Sequence, residues 1–189
     1  MTLKIENLIS ERIDDLGQLF STDQVAAGCW CMWFIIPVRD YHAAGGEGNR
    51  VSFSQLAEAD TLPMGLLAYR DGEPVGWCAV GPRERYIRAM KTPTYRGGDA
   101  AESGVWFVPC FFIREDARGT GVNKALLEKA ISLAKENGAS AIEGFPNVGT
   151  KKKSGNDVQV GFESVFSACG FKTIRTPSAS RVVMRLDLK

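Results

Sequence analysis

Residues 105–146 read VWFVPCFFIREDARGTGVNKALLEKAISLAKENGASAIEGFP. The run 105–113 is too apolar for a half-exposed strand and predicts a central strand buried on both faces. From Val122 onward the apolar residues recur at helical spacing. Val122, Leu126, Ala130 and Leu133 form one stripe, widened by Leu127, Ile131 and Ala134. Gly138 suits the left-handed position that ends a helix. SAIEGFP (140–146) then predicts a second, shorter strand. A strand–helix–strand unit of this kind is a right-handed crossover between parallel strands. Strands and helices are mixed along the chain, so the predicted fold class is α/β or α+β with a mixed sheet.

Outward from this unit, LKIENL (3–8) predicts a first strand, and SERIDDLGQLF (10–20) a helix with Ser10 as its N-cap. CWCMWFIIP (29–37) has a strand's composition and ends at Pro37. DYHAAGGEGNR (40–50) predicts a glycine-rich mobile loop, and RVSFSQLAEAD (50–60) a short helix. GLLAYRDGEPVGWCAVG (65–81) is the clearest hairpin, turning at Asp71-Gly72. Residues 83–103 carry no clear period. VGTKKKSGNDVQ (148–159) predicts a polar loop, GFESVFSACG (161–170) a short helix, and FKTIRT with RVVMRLDL a closing hairpin. With 189 residues and no internal repeat or low-complexity linker, the expected organisation is one domain over 1–189.

A formal net charge of +1 supplies no general field for nucleic acid or an anionic membrane, so a small-molecule or peptide partner is expected. The start, MTLKIENLISERIDD, has no apolar core of a secretory signal. CWCMWFIIPV is about half the length that a membrane-spanning helix needs. Five cysteines without an export signal predict reduced thiols in a cytoplasm.

The turn at 118–124 poses the functional question. A helix N-terminus presents unpaired N–H groups and a partial positive charge. Gly119 and Gly121 let that backbone approach a phosphate, and Arg118 adds a fixed charge. The competing reading is a plain strand–helix connection with glycines for conformation alone. Two phosphate motifs are excluded. Lys124 stands where a dinucleotide fingerprint needs its third glycine, and no G-K-[ST] run exists.

Arg118-Gly119-Thr120-Gly121-Val122-Asn123 resembles the pyrophosphate-binding motif [RQ]-x-x-G-x-[GA] of the GNAT superfamily of N-acetyltransferases. Asn123 departs from it at the last position. Cys169-Gly170-Phe171 looks like that family's Gly-Phe ending of the next helix, and the element order from residue 66 onward follows the family. In residues 26–65 the resemblance lapses. It implies a mostly antiparallel sheet with one splayed parallel strand pair, helices on both faces, and acetyl-CoA as co-substrate. The cofactor would lie on Phe111, Phe112 and Ile113 through their backbone, on Arg118, Gly119, Thr120, Gly121, Val122, Asn123 and Lys124, and on Asn147. The acceptor would be a primary amine of a small molecule or peptide. No metal is implied, and a homodimer is left open.

Acetyl transfer needs a base for an amine with a pKa of about 10, donors for the oxyanion, and help for the leaving thiolate. Glu143 lies in the middle of a short apolar strand, where a charge is costly unless it is paired or functional. The resemblance makes it the candidate base, directly or through water; pairing with an arginine is the alternative. The family's usual acid, a tyrosine, is replaced by Phe166. That substitution keeps a second reading open: an acyl-CoA-binding module without turnover.

The remaining residues have plain readings beside functional ones. Lys151, Lys152 and Lys153 are solvated surface or a phosphate clamp. Cys29 and Cys31 are part of a buried apolar strand or of a metal site lacking its other ligands. Trp30, Trp33, Trp77 and Trp106 are core or a pocket wall. Cys110 is an inert core thiol or a reactive one, and His42 is solvent-facing or a spare base.

Overall fold

The computed structural model describes residues 2–99, 101–149 and 159–188. Seven strands form one sheet in the order β1-β2-β3-β4-β5-β7-β6. They are β1 Leu3–Asn7, β2 Gly65–Arg70, β3 Glu73–Pro82, β4 Val105–Ile113, β5 Ala141–Gly144, β6 Lys172–Ser178 and β7 Arg181–Asp187. Every neighbouring pair is antiparallel except β4 and β5. Among the described residues the α-helices are α1 Ile13–Phe20, α2 Gln24–Cys29, α3 Val38–Ala59, α4 Ile87–Lys91, α5 Val122–Glu136 and α6 Glu163–Ala168. The polar loop expected at 148–159, with Lys151, Lys152 and Lys153, lies largely outside the described residues.

Two apolar layers clad the sheet. Leu126, Leu127, Ala130 and Leu133 of α5 and Phe166 of α6 pack with Leu66, Cys78, Val80 and Phe111 on one face. Leu16 and Phe20 of α1, Ala26 of α2 and Phe53 of α3 pack with Trp77, Phe107, Cys110 and Phe112 on the other. Helices therefore cover both faces, because alternating residues of each central strand are apolar in both directions. The α5 stripe is buried as its spacing requires, and Gly138 ends that helix with φ +72°. The amide of Ala139 donates to Ala134 and that of Gly138 to Lys135, which closes the last turn.

Three expectations need correction. Ser10 caps no helix: its hydroxyl bonds to Glu11, and Ser10–Arg12 form a separate 3-10 turn. CWCMWFIIP is not a strand. Asp23 caps α2 by accepting from the amides of Val25 and Ala26, and α2 runs to Cys29. Trp30 and Cys31 then both take left-handed backbone (φ +47° and +54°), and Met32–Phe34 form a 3-10 turn. An apolar run of this length does not tell a strand from a buried helical turn, and here tertiary burial of Trp30, Cys31, Met32 and Phe34 decided. DYHAAGGEGNR is helical rather than a loop, and RVSFSQLAEAD continues the same element α3. A break at Gly45 (φ +63°, ψ −173°) divides it.

Candidate active site

Strand β4 carries a bulge. Ala79 pairs with Cys110 and Gly81 with Phe107, so Val108 and Pro109 together oppose Val80 alone. Proline has no N–H to give a ladder, and within a sheet it is tolerated at such a bulge. The extra residue bends the second half of β4. Its parallel pairing with β5 runs from Val105–Ala141 to Val108–Gly144 and stops there. Beyond that point β4 stays with β3, whereas the chain after β5 follows β7: Val182 donates to Pro146 and Val148 to Ser180. The two strands part and leave a wedge, walled by residues 109–113 on one side and 145–147 on the other.

Backbone groups alternate along a strand. The amides of Arg114 and Phe111 point to opposite sides, one to Val75 of β3 and the other away from it. Phe111 and Ile113 therefore turn their backbone to the wedge, and Phe112 turns its backbone to β3. The side chains of Phe111 and Phe112 fill the core on opposite faces.

At the open end of the wedge, Arg118, Gly119, Thr120 and Gly121 are exposed and lead into α5. Gly121 (φ +86°) is the N-cap residue and no side chain caps the helix, so the amides of Val122, Asn123 and Lys124 lack helical partners. The Arg118 guanidinium folds back to the carbonyl of Ile113 at 3.0 Å. Arg70 donates to the Thr120 hydroxyl at 2.7 Å and brings a second cation to the turn. Sequence reasoning missed Arg70, since only the β2-β3-β4 order brings it there. Lys124 pairs with Glu128, and the Asn123 side-chain oxygen has no hydrogen-bond partner among the described residues. On the other wall, buried Asn147 donates its amide to Gly161 and accepts from that of Glu163.

Glu143 lies at the foot of the wedge, opposite Phe107. Its oxygens are fully buried. Oε1 accepts from Arg185 Nη1 at 3.1 Å and from the Gly98 amide at 3.2 Å. Oε2 faces Arg83 Nη1 at 3.5 Å. Arg83 in turn donates to the carbonyls of Asp99 and Glu102, and Arg185 grips the Glu102 carboxylate with two nitrogens. That grip, with the Asp187 and Glu143 carboxylates, holds the Arg185 pKa above its ordinary value. A Cβ at Gly97 would sit 1.6 Å from Glu143 Oε2, so only glycine fits this turn over the carboxylate. The structure thus pairs Glu143 with arginines, and the sequence held no sign of which ones.

Phe166 is fully buried, 6.1 Å from the Phe111 ring and 5.0 Å from that of Phe171. Cys29, Cys31, Cys78 and Cys110 are buried free thiols. Burial, then the neighbouring Cys31, pushes the Cys29 thiol up to about 11. The contact with Cys31 and burial raise that of Cys110, so neither is poised as a nucleophile. Among the described residues no group of three acidic, histidine or cysteine side chains could hold a metal ion. Trp77 and Trp106 are core on opposite faces, and Trp77 Nε1 donates to the Cys31 sulfur. Trp30 lines a cavity of about 460 Å³ with Asp14, Gln18, Glu47 and Arg50. His42 is exposed beside Tyr41 and Trp33.

A family model described as "Acetyltransferase (GNAT) family" matches residues 29–150. The chain belongs to the GNAT family of acetyltransferases. The match begins at Cys29, inside the region where the motif resemblance lapses. Solved structures agree in fold. An N-acetyltransferase from Staphylococcus aureus Mu50 superposes with a TM-score of 0.60 at 14% identity, over 100% of both chains. The PaiA N-acetyltransferase of Thermoplasma acidophilum, determined in complex with coenzyme A, gives 0.57 at 14% identity over 99% of both. An acetyltransferase from Thermus thermophilus gives 0.56 at 17%, over 100% of this chain and 98% of that one. No curated protein matches the sequence at a significant level. No helix among the described residues of this GNAT protein is long and apolar enough to cross a membrane.

Proposed function

We propose that this GNAT protein transfers an acetyl group from acetyl-CoA to a primary amine of a small molecule or peptide, by direct attack in a ternary complex. The observation that carries this reading is the wedge that opens at Val108 and Gly144 and ends at the uncapped N-terminus of α5. In this reading the wedge receives the narrow extended arm of the cofactor. The turn at its end offers backbone amides and two guanidinium groups, Arg118 and Arg70, to a pyrophosphate. The coenzyme A bound to the Thermoplasma relative supports the choice of ligand.

In this reading the backbone of Phe111 and Ile113 pairs with the pantetheine arm, residues 118–124 hold the pyrophosphate, and Asn147 borders the opposite wall. The amine nitrogen attacks the thioester carbonyl; the C–N bond forms, the oxyanion collapses and the C–S bond breaks. A thiolate of pKa about 8.5 leaves without an acid, since Phe166, where the family commonly has a tyrosine, has no proton to give. Glu143 is the carboxylate at the foot of the wedge and takes the amine proton, directly or through water. Its oxygens are held by Arg83, Arg185 and the Gly98 amide, so this role requires the Gly97–Gly98 turn to lift. The acceptor approaches from the face that carries residues 29–50. The five free cysteines fit a reducing cytoplasm.

The test is release of CoA thiol from acetyl-CoA across a panel of amines. Release that depends on one class of amine supports transfer, and Glu143→Gln then lowers kcat by about 100-fold or more with CoA affinity nearly unchanged. Binding of CoA with no release for any amine would overturn turnover and favour a silent acyl-CoA-binding module.

A further inference from the structure

The wedge is spanned by a piece of the chain itself. The Phe111 amide, one of the two β4 amides that face the wedge, donates to the carbonyl of Gln159. Two residues on, the carbonyl of Gly161 accepts from the Asn147 amide on the opposite wall at 3.0 Å, and the Glu163 amide returns to the Asn147 carbonyl at 2.9 Å. Asn147 also forms a parallel bridge with Phe162. Between these anchors Val160 is buried in the apolar layer that holds Cys110, Phe34 and Phe145. Gly161 has φ +77°, and a Cβ there would lie 3.2 Å from Phe166 and 3.4 Å from Phe111.

We infer that residues 159–162 are an internal competitor of acyl-CoA: the Gln159 carbonyl holds the Phe111 amide until the cofactor's pantetheine arm displaces it. This rests on the reading that acyl-CoA lies in the wedge. A buried strand amide requires an acceptor, and Gln159 supplies it in the free protein. One N–H donates fully to one acceptor, so the strap and a ligand carbonyl cannot both have it. The affinity measured for CoA is then the intrinsic affinity reduced by the fraction of protein whose strap is open. The strap also reports occupancy. Releasing Gln159 from β4 slackens the link through Gly161 to Asn147, and through Asn147 to the start of α6.

Val160→Ser and Gly161→Ala test this. The first weakens the strap's apolar anchor. The second adds a methyl group at a left-handed position against two aromatic rings. Neither residue is among those assigned to bind the cofactor or carry the reaction. Coenzyme A is the probe, with affinity read by titration calorimetry and association by stopped-flow. Both variants are expected to bind CoA about 3- to 10-fold more tightly than wild type. The wild-type association rate should level off at high CoA concentration, where strap opening limits it, and the limit should rise in both variants. Weaker binding in folded variants, as judged by circular dichroism, would make the segment part of the site and overturn the competitor. Unchanged affinity with unchanged kinetics would overturn it as well. If wild type itself fails to bind CoA, the acyl-CoA reading falls, a result distinct from either.

Discussion

Arg83 and Glu143 face each other at 3.5 Å with side chains 5% and 0% exposed. A buried ion pair adds little beyond what well-packed apolar residues would, but removing one partner strands the other charge. Arg83 comes from the turn after β3 and Glu143 from β5, so the pair ties the two sides of β4 together across its buried face.

Arg83→Met should therefore destabilise the protein by about 3 kcal/mol or more, read by urea denaturation. It removes the charge facing Glu143 Oε2 and frees the carbonyls of Asp99 and Glu102. A loss below about 1 kcal/mol would mean that the pair is hydrated and the turn over Glu143 is open in solution.

The Arg185 hydrogen bond holds the Glu102 carboxyl below its usual range. The unfolded value is about 4.3, so the unfolded chain binds more protons over the window beneath it. This contribution is complete above that pH and is lost as pH falls through the lower folded value. With the side chain 33% exposed, it amounts to about 1 kcal/mol at most. The stability gap between wild type and Glu102→Gln should narrow as pH drops from 5 to 2. A gap that stays constant in thermal melts across that range would refute the linkage.

Gly121 has φ +86° and open space around it, so alanine there costs conformational strain of about 1 kcal/mol without a clash. Glutamate carries the same strain plus negative charge beside the first-turn amides of α5. Gly121→Ala should retain measurable CoA binding while Gly121→Glu loses it by 100-fold or more. Equal affinities would remove the pyrophosphate from this turn.

Phe166→Tyr restores the residue that the family commonly carries, yet Phe166 is sealed against Phe111, Phe171 and the Gly144 backbone. A buried hydroxyl without a partner costs about 1–3 kcal/mol. The variant should melt at lower temperature and show no gain in kcat for acetyl transfer. A higher kcat would show that the hydroxyl reaches the wedge.

The central unit was legible because its signals are local. Nine consecutive residues from Val105 to Ile113 form the buried strand, the α5 stripe is buried at its own period, and Gly138 ends the helix where its conformation demands. Pro109 sits at the bulge of that strand, a break that the apolar composition of the run does not show. CWCMWFIIP misled because hydrophobicity without a clear period fits any buried backbone; the Asp23 cap accounts for α2 only as far as Cys29, and burial of Trp30, Cys31, Met32 and Phe34 decided the rest. The glycines of 40–50 suggested a loop, but α3 packs on α2 and breaks only at Gly45.

By itself the sequence determined the strand–helix–strand unit, the glycine turn before α5 and the family motif that turn resembles. Each depends on residues a few positions apart, whose conformational preferences act before the chain folds. Only the tertiary structure decided what surrounds Glu143. Arg83 and Arg185 lie 60 and 42 positions away in the chain, and it takes the β3-β4-β5-β7 order to bring both guanidinium groups to one carboxylate. The same holds for Gln159 on Phe111. A backbone carbonyl has no signature in a sequence, and its pairing is set by where the parted strands leave an amide to satisfy.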